Sequence, residues 1–135
     1  MDTTKQLLAQ LWGFNKKQRR LAAIKLGLEG SDEAIRALIL SVASHEQEII
    51  TRGKAALMLG KLRDIRAVDA LIEALGAPGF QTPIYAAKAL GEIGDPRAIE
   101  PLLNALFAST SDIFQKAARD ALGRLGYNEL IPEKV

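Results

Sequence analysis

The sequence predicts an all-α fold, a right-handed solenoid of about four stacked helical hairpins. Three observations predict it. First, the run Ala86-Ala87-Lys88-Ala89-Leu90-Gly91-Glu92-Ile93-Gly94-Asp95-Pro96-Arg97-Ala98-Ile99, continuing to Leu106, reads as a helix end, a tight turn and a second helix. Second, weaker copies occur at 55–75 and 22–39, and the first half returns as Ala121-Leu122-Gly123-Arg124-Leu125-Gly126. The glycines Gly27, Gly60, Gly91 and Gly123 recur at intervals of 33, 31 and 32 residues. Self-similarity at that period marks a repeat array. Third, hydrophobic residues make up 48% of the chain and aromatics only 5%. An Ala- and Leu-rich composition suits helices and suits strands poorly.

Each element has a physical reason. Ile99, Leu102, Leu103 and Leu106 fall at i, i+3, i+4 and i+7, one face of a helix. Asp95 is placed to cap that helix, with Pro96 at its first position. Asp64 holds the same place one copy earlier, and Ser31 or Asp32 in the first. The Ala-Ala pairs let neighbouring helices approach closely. A lone hairpin cannot bury its apolar face, so stacked neighbours supply the core. The repeated glycines read as inter-helix turns, with Gly91 expected at a left-handed position.

In order along the chain, 2–14 reads as a half repeat whose Leu7, Leu8 and Leu11 match Leu102, Leu103 and Leu106. Asp2 or Thr3 is its expected cap. Four repeats follow, at about 15–44, 45–76, 80–108 and 111–135. Asn15…Gln18 and Ser44…Gln47 have capping-box spacing and are expected to open helices. Gly76-Ala77-Pro78-Gly79 is the strongest breaker, and 76–82 the candidate hinge. Thr82 is the expected cap of the helix holding Pro83, and Ser111 or Asp112 caps the last long helix. The last unit is degenerate, because Pro132 spoils its second helix. The half-repeat ends carry Leu7, Leu8, Leu11, Trp12 and Phe14 at one side and Leu130 and Ile131 at the other. They either fold inward as caps or stack on another chain.

At 135 residues the chain reads as a single domain, 1–135. It has no cysteine, which excludes disulfides, thiol nucleophiles and thiolate metal sites. There is no apolar run of membrane-spanning length and no secretory signal, so the expectation is a soluble cytoplasmic protein. The net charge of +2 makes no case for nucleic acid. The single histidine, His45, lacks the convergent nucleophile and carboxylate of a catalytic site. The acids read as caps and exposed positions, so no catalytic residue, metal site or cofactor is expected.

The run at 86–106 resembles the HEAT-like repeat, in the subtype known from phycobilin lyase subunits. The likeness covers roughly 2–127. The family's first helix often carries an arginine shortly before the Ala pair; Arg19 and Arg52 fit it, while Pro83 and Gln115 depart from it. The resemblance implies that the second helix of each repeat lines a concave, partner-binding side. By register, its outward positions are Glu33, Arg36 and Leu40, then Arg66, Asp69 and Glu73, then Arg97, Glu100 and Asn104. Asp2, Lys5 and Ala9 continue the series in the half repeat. This mixed-charge ladder lacks the basic stripe that a phosphate backbone requires and suits a protein partner.

A secondary docking patch is Trp12, Phe14, Lys16, Lys17 and Arg20. Cations in a first helical turn oppose the macrodipole, which argues that they are held for an anionic surface. The aromatic pair beside them suits an interface anchor. The function expected is non-catalytic: a protein-interaction scaffold, adaptor or assembly factor. Stacking with another HEAT-like chain or with itself is a further expectation. The alternative implied by the resemblance is a phycobilin lyase-like subunit or chaperone, handling a tetrapyrrole-bearing antenna protein.

Overall fold

The computed structural model describes residues 3–127. Among them are eight α-helices: α1 (Thr4–Leu11), α2 (Lys16–Glu29), α3 (Asp32–Ala43), α4 (Ile49–Leu62), α5 (Val68–Ala74), α6 (Gln81–Ile93), α7 (Ile99–Ala108) and α8 (Asp112–Arg124). No strand occurs among the described residues. The first helices α2, α4, α6 and α8 pack in succession as one layer. The second layer runs α1, α3, α5, and the turn before α7 packs on α5. This is an all-α solenoid. The expected cap Asp2 and the tail from 128 onward, with Leu130, Ile131 and Pro132, lie outside the described residues.

The local signals that predicted the helices are used as caps. Thr3 forms a reciprocal capping box with Gln6. Asn15, Ser31 and Ser111 each accept from the backbone N–H three residues on. Asp64 and Asp95 cap single 3-10 turns, Ile65–Ala67 and Pro96–Ala98, that lead into α5 and α7. The continuous helix expected from 65 therefore begins as a tighter turn.

Two expected caps are replaced. Ser44 does not open α4; its hydroxyl accepts from the Glu46 N–H at 3.2 Å within the loop. The side chain of Gln47 is drawn inward instead, donating to the Leu11 carbonyl and the Ser41 hydroxyl at 3.0 Å each. Glu48 then caps α4, accepting from Ile50 N–H at 3.0 Å and Thr51 N–H at 3.1 Å. Likewise α6 starts before Thr82, which is buried and donates to the Ile49 carbonyl at 3.2 Å.

The repeated glycine also has a different role from the one its turn-like context suggests. Gly27, Gly60 and Gly91 are helical. A Cβ on Gly60 would sit 2.8 Å from the Cα of Ala89, and one on Gly91 2.8 Å from the Cα of Ala121. Gly60 and Gly91 permit close contact with the backbone of the next first helix, and Gly27 makes room for the Met58 side chain. The left-handed residues are others: Gly30, Arg63, Gly79, Gly94 and Gly126.

In three of the four copies, the residue eight positions before the repeated glycine ties a first helix to the end of the helix before it. The Arg19 guanidinium donates to the Gly13 carbonyl. Buried Arg52 donates twice to the Val42 carbonyl, at 3.1 and 2.9 Å. Gln115, a departure from the family pattern in sequence, donates to the Ser109 carbonyl at 2.6 Å and so performs the same task. Pro83, in the third copy, has no donor to offer.

Candidate partner-binding surface

All nine positions expected on the second-helix face are exposed: Glu33, Arg36 and Leu40 on α3, Arg66, Asp69 and Glu73 around α5, and Arg97, Glu100 and Asn104 around α7. Lys5 and Ala9 of α1 are exposed as well. They are brought onto one layer because the apolar residues between them, such as Leu38, Leu71 and Leu102, face the core with no exposure.

The charges are linked along the array. Asp64 caps its 3-10 turn and pairs with Arg66 at 2.8 Å, while Arg66 reaches back to Asp32 of the preceding repeat at 2.5 Å. Asp95 pairs with Arg97 at 2.9 Å, and Arg97 reaches back to Asp69 at 3.4 Å. Arg36 also pairs with Asp32. The same Asp-x-Arg unit therefore closes a turn and bridges two repeats. Hydrogen bonds from Arg66, then from Arg36, hold the Asp32 carboxyl below its usual range. The Arg66 and Arg97 hydrogen bonds do the same for Asp64 and Asp95. At pH 7 the strip presents fixed charges of both signs. His45 is exposed and lies 3.5 Å from Glu73.

The second expected patch divides. Phe14 is fully exposed, Trp12 is 44% exposed, and Lys16 and Lys17 are exposed beside them. Arg20 is half-buried and bound to Glu48 through two contacts of 3.0 Å. That ion pair, first, and the Thr51 and backbone hydrogen bonds pull the Glu48 carboxyl down to about 2 against desolvation. Arg20 thus braces the second repeat on the first.

A cavity of about 430 Å³ lies where the second, third and fourth repeats meet, lined by Leu75 and Gly76 after α5, Phe80, Pro83 and Ile84 at the start of α6, Ala105 and Ala108 of α7 and Phe114 of α8. Its signal in sequence is faint: a proline where the other copies carry a donor. A second groove, of about 410 Å³, occupies the corresponding place between the first two repeats, lined by Phe14, Arg19, Gln47 and Glu48 among others. Among the described residues no cluster of acids and histidine could hold a metal ion. No helix there is long and apolar enough to cross a membrane.

The stacked hairpins, their Asp-capped turns and the exposed second-helix layer define a helical repeat protein of the α-solenoid class. A family model for HEAT repeats matches residues 4–82 and 68–133, and the chain belongs to that family. No curated protein matches it by sequence. Among solved structures it is similar to the complex of CpcE and CpcF of phycocyanin lyase from Nostoc sp., at 26% identity and TM-score 0.79, over 93% of this chain and 54% of that one. Human deoxyhypusine hydroxylase, in complex with glycerol, matches at 23% identity and TM-score 0.75, over 95% of this chain and 45% of that one. An engineered protein matches at 21% and 0.63, over 93% and 63%. The chain spans between 45% and 63% of the length of these structures, less than two-thirds of each. The last two likenesses are of fold alone.

Proposed function

We propose that this chain is a non-catalytic protein-binding module of the cytoplasm that receives its partner on the second-helix face. The observation that carries this reading is the ladder of fixed charges, in which Arg66 and Arg97 bridge successive repeats and Arg36, Glu33, Glu100 and Asn104 stand exposed beside them. Interfaces use such complementary charge to set register and partner choice. A preordered strip also lowers the entropy lost on binding. Leu40, 64% exposed, supplies an apolar point on the same strip. The likeness to a chain found in a complex of two proteins supports a protein partner, a second repeat chain among the candidates.

The test is capture of the partner from a lysate of the source organism by the tagged chain. Arg36→Glu with Glu100→Lys should release it while helix content and Tm stay unchanged. Undiminished capture would place the site elsewhere.

The second reading, a phycobilin lyase-like subunit, is favoured by the likeness to the CpcE–CpcF complex of phycocyanin lyase. It makes a separate prediction. Addition of an open-chain tetrapyrrole should shift the absorption of the pigment on this chain; an adaptor leaves the spectrum unchanged.

A further inference from the structure

The second-helix layer is unevenly joined. At the step from α3 to α5, buried Arg52 donates to the Val42 carbonyl at the end of α3. Burial lowers the pKa of that guanidinium, and the Glu73 carboxylate on α5 works against the shift. One side chain therefore lies between those two helices, and α3 packs directly on α5. At the next step, in the register of Gly60 and Gly91, Pro83 stands for Arg52 and Asn104 for Glu73. The donor and the carboxylate are lost together. The cavity of about 430 Å³ lies in that place, with Leu75 and Gly76 after α5 on one wall and Ala105 and Ala108 of α7 on another. Well-packed interiors leave few spaces larger than a water molecule. Here repeat three meets α5 through α6 and through the 3-10 turn before α7.

The chain around this gap is lightly secured. α5 is the shortest of the described helices, at seven residues, and it runs out through i→i−3 bonds of 3.1–3.2 Å at Leu75, Gly76 and Ala77. Among the first helices α6 alone has no side-chain cap. The candidate hinge of the sequence, 76–82, falls between them. On the exposed face, Arg97 reaches Asp69 across the gap at 3.4 Å, against 2.5 Å for Arg66 and Asp32 at the step before. Exposed pairs of this kind cost little to break.

The first-helix layer is the opposite. Gly60 lies against the Ala89 backbone and Gly91 against that of Ala121. Thr82 ties the start of α6 to the Ile49 carbonyl, and Arg63 ties the end of α4 to the Glu92 carbonyl at 2.8 Å. Backbones packed this closely transmit movement as a rigid body.

We propose that α7 pivots on this first-helix spine, opening and closing the second-helix layer between α5 and α7. The cavity is the room for the movement, and the loss of the side-chain-to-carbonyl tie at Pro83 is what frees it. The curvature of the second-helix face changes at this step and is fixed at the step from α3 to α5. The pivot belongs to the chain alone and stands or falls apart from the function proposed above.

The experiment is double electron–electron resonance between paired nitroxide labels. The chain has no cysteine, so introduced pairs label cleanly. Ala9, Leu40, Glu73 and Asn104 hold corresponding outward positions on α1, α3, α5 and α7, and all are exposed. Ala9→Cys with Glu73→Cys spans two steps without the gap. Leu40→Cys with Asn104→Cys spans two steps that include it. The second pair should give a distance distribution at least about twice as wide as the first, as a hinge between them requires. Pro83→Gln, which imitates the donor of Gln115, should narrow it to the width of the first pair. Ala105→Leu, which fills the cavity, should narrow it as well. Pro83→Ala offers no donor and should leave it wide. Equal widths for the two pairs in the otherwise unsubstituted chain would overturn the proposal, and that comparison changes only exposed positions. Narrowing by Pro83→Ala as large as that by Pro83→Gln would also overturn it, because the proline ring and not the lost tie would then set the motion. So would an unchanged width in both Pro83→Gln and Ala105→Leu at unchanged Tm.

Discussion

Glu48 grips Arg20 across the first interrepeat boundary, with both carboxylate oxygens 3.0 Å from guanidinium nitrogens. The same carboxylate caps α4 and accepts from the Thr51 hydroxyl at 2.7 Å. One side chain therefore starts a helix, satisfies a buried threonine and joins two repeats.

This concentration of roles has a pH signature. The Glu48 carboxyl is lowered from 4.5 to about 2. A depressed folded-state pKa contributes stability that is present above 4.5 and is lost as pH falls towards 2. Glu48→Gln should lower stability at pH 7 by about 1–2 kcal/mol, the usual scale for a lost cap. It should also flatten the fall of Tm between pH 4.5 and 2 relative to the unsubstituted chain. Thermal melts across that window check it; parallel pH profiles would contradict it.

The repeated glycine makes a prediction of opposite signs. Gly91→Ala puts a methyl group against the Ala121 backbone, and over-packing of this kind costs about 1–3 kcal/mol. Gly91→Val is expected to be worse. Gly123 is the equivalent residue in α8, and an added Cβ there meets no described atom within 4 Å. Gly123→Ala should therefore be neutral or stabilising, by up to about 1 kcal/mol, because helical glycine is disfavoured against alanine. Chemical denaturation of the two variants separates the signs.

Arg52 is a structural cation. Its guanidinium is buried and bound to the Val42 carbonyl, and burial lowers its pKa. Arg52→Met keeps much of the volume and leaves that carbonyl without its donor, at an expected cost of about 1–3 kcal/mol. Arg52→Gln, which imitates the amide donor of Gln115, should recover part of it. Equal unfolding free energies for the two variants would argue against the carbonyl contact.

The Asp-x-Arg units are expected to act through the cap more than through the ion pair. Exposed ion pairs contribute little and are screened by salt. Asp64→Ala, which removes the acceptor for the Arg66 N–H, should lower Tm more than Arg66→Ala does. The Asp64→Ala effect should also survive in molar salt.

The solenoid was legible because its signals are local and repeated. Ser31, Asp64, Asp95 and Ser111 cap where their spacing places them. The nine second-helix positions are exposed because helical register alone sets which side faces the core. The missed features all depend on a second element. Gly91 looks like a turn glycine until Ala121 is set against it. Ser44 reads as a cap until Leu11 and Ser41 claim the amide of Gln47. Arg20 reads as a free cation until Glu48 is placed opposite. The cavity beside Pro83 needs walls from three repeats and has no local pattern.

The most direct test of the central claim is hydrogen–deuterium exchange on the chain with and without its captured partner. The account predicts protection gained on the second helices, at 33–40, 66–73 and 97–104, with the outer surfaces of α4 and α6 unchanged. Protection confined to the first helices, or to the loop edge at 76–84 and 105–114, would contradict it.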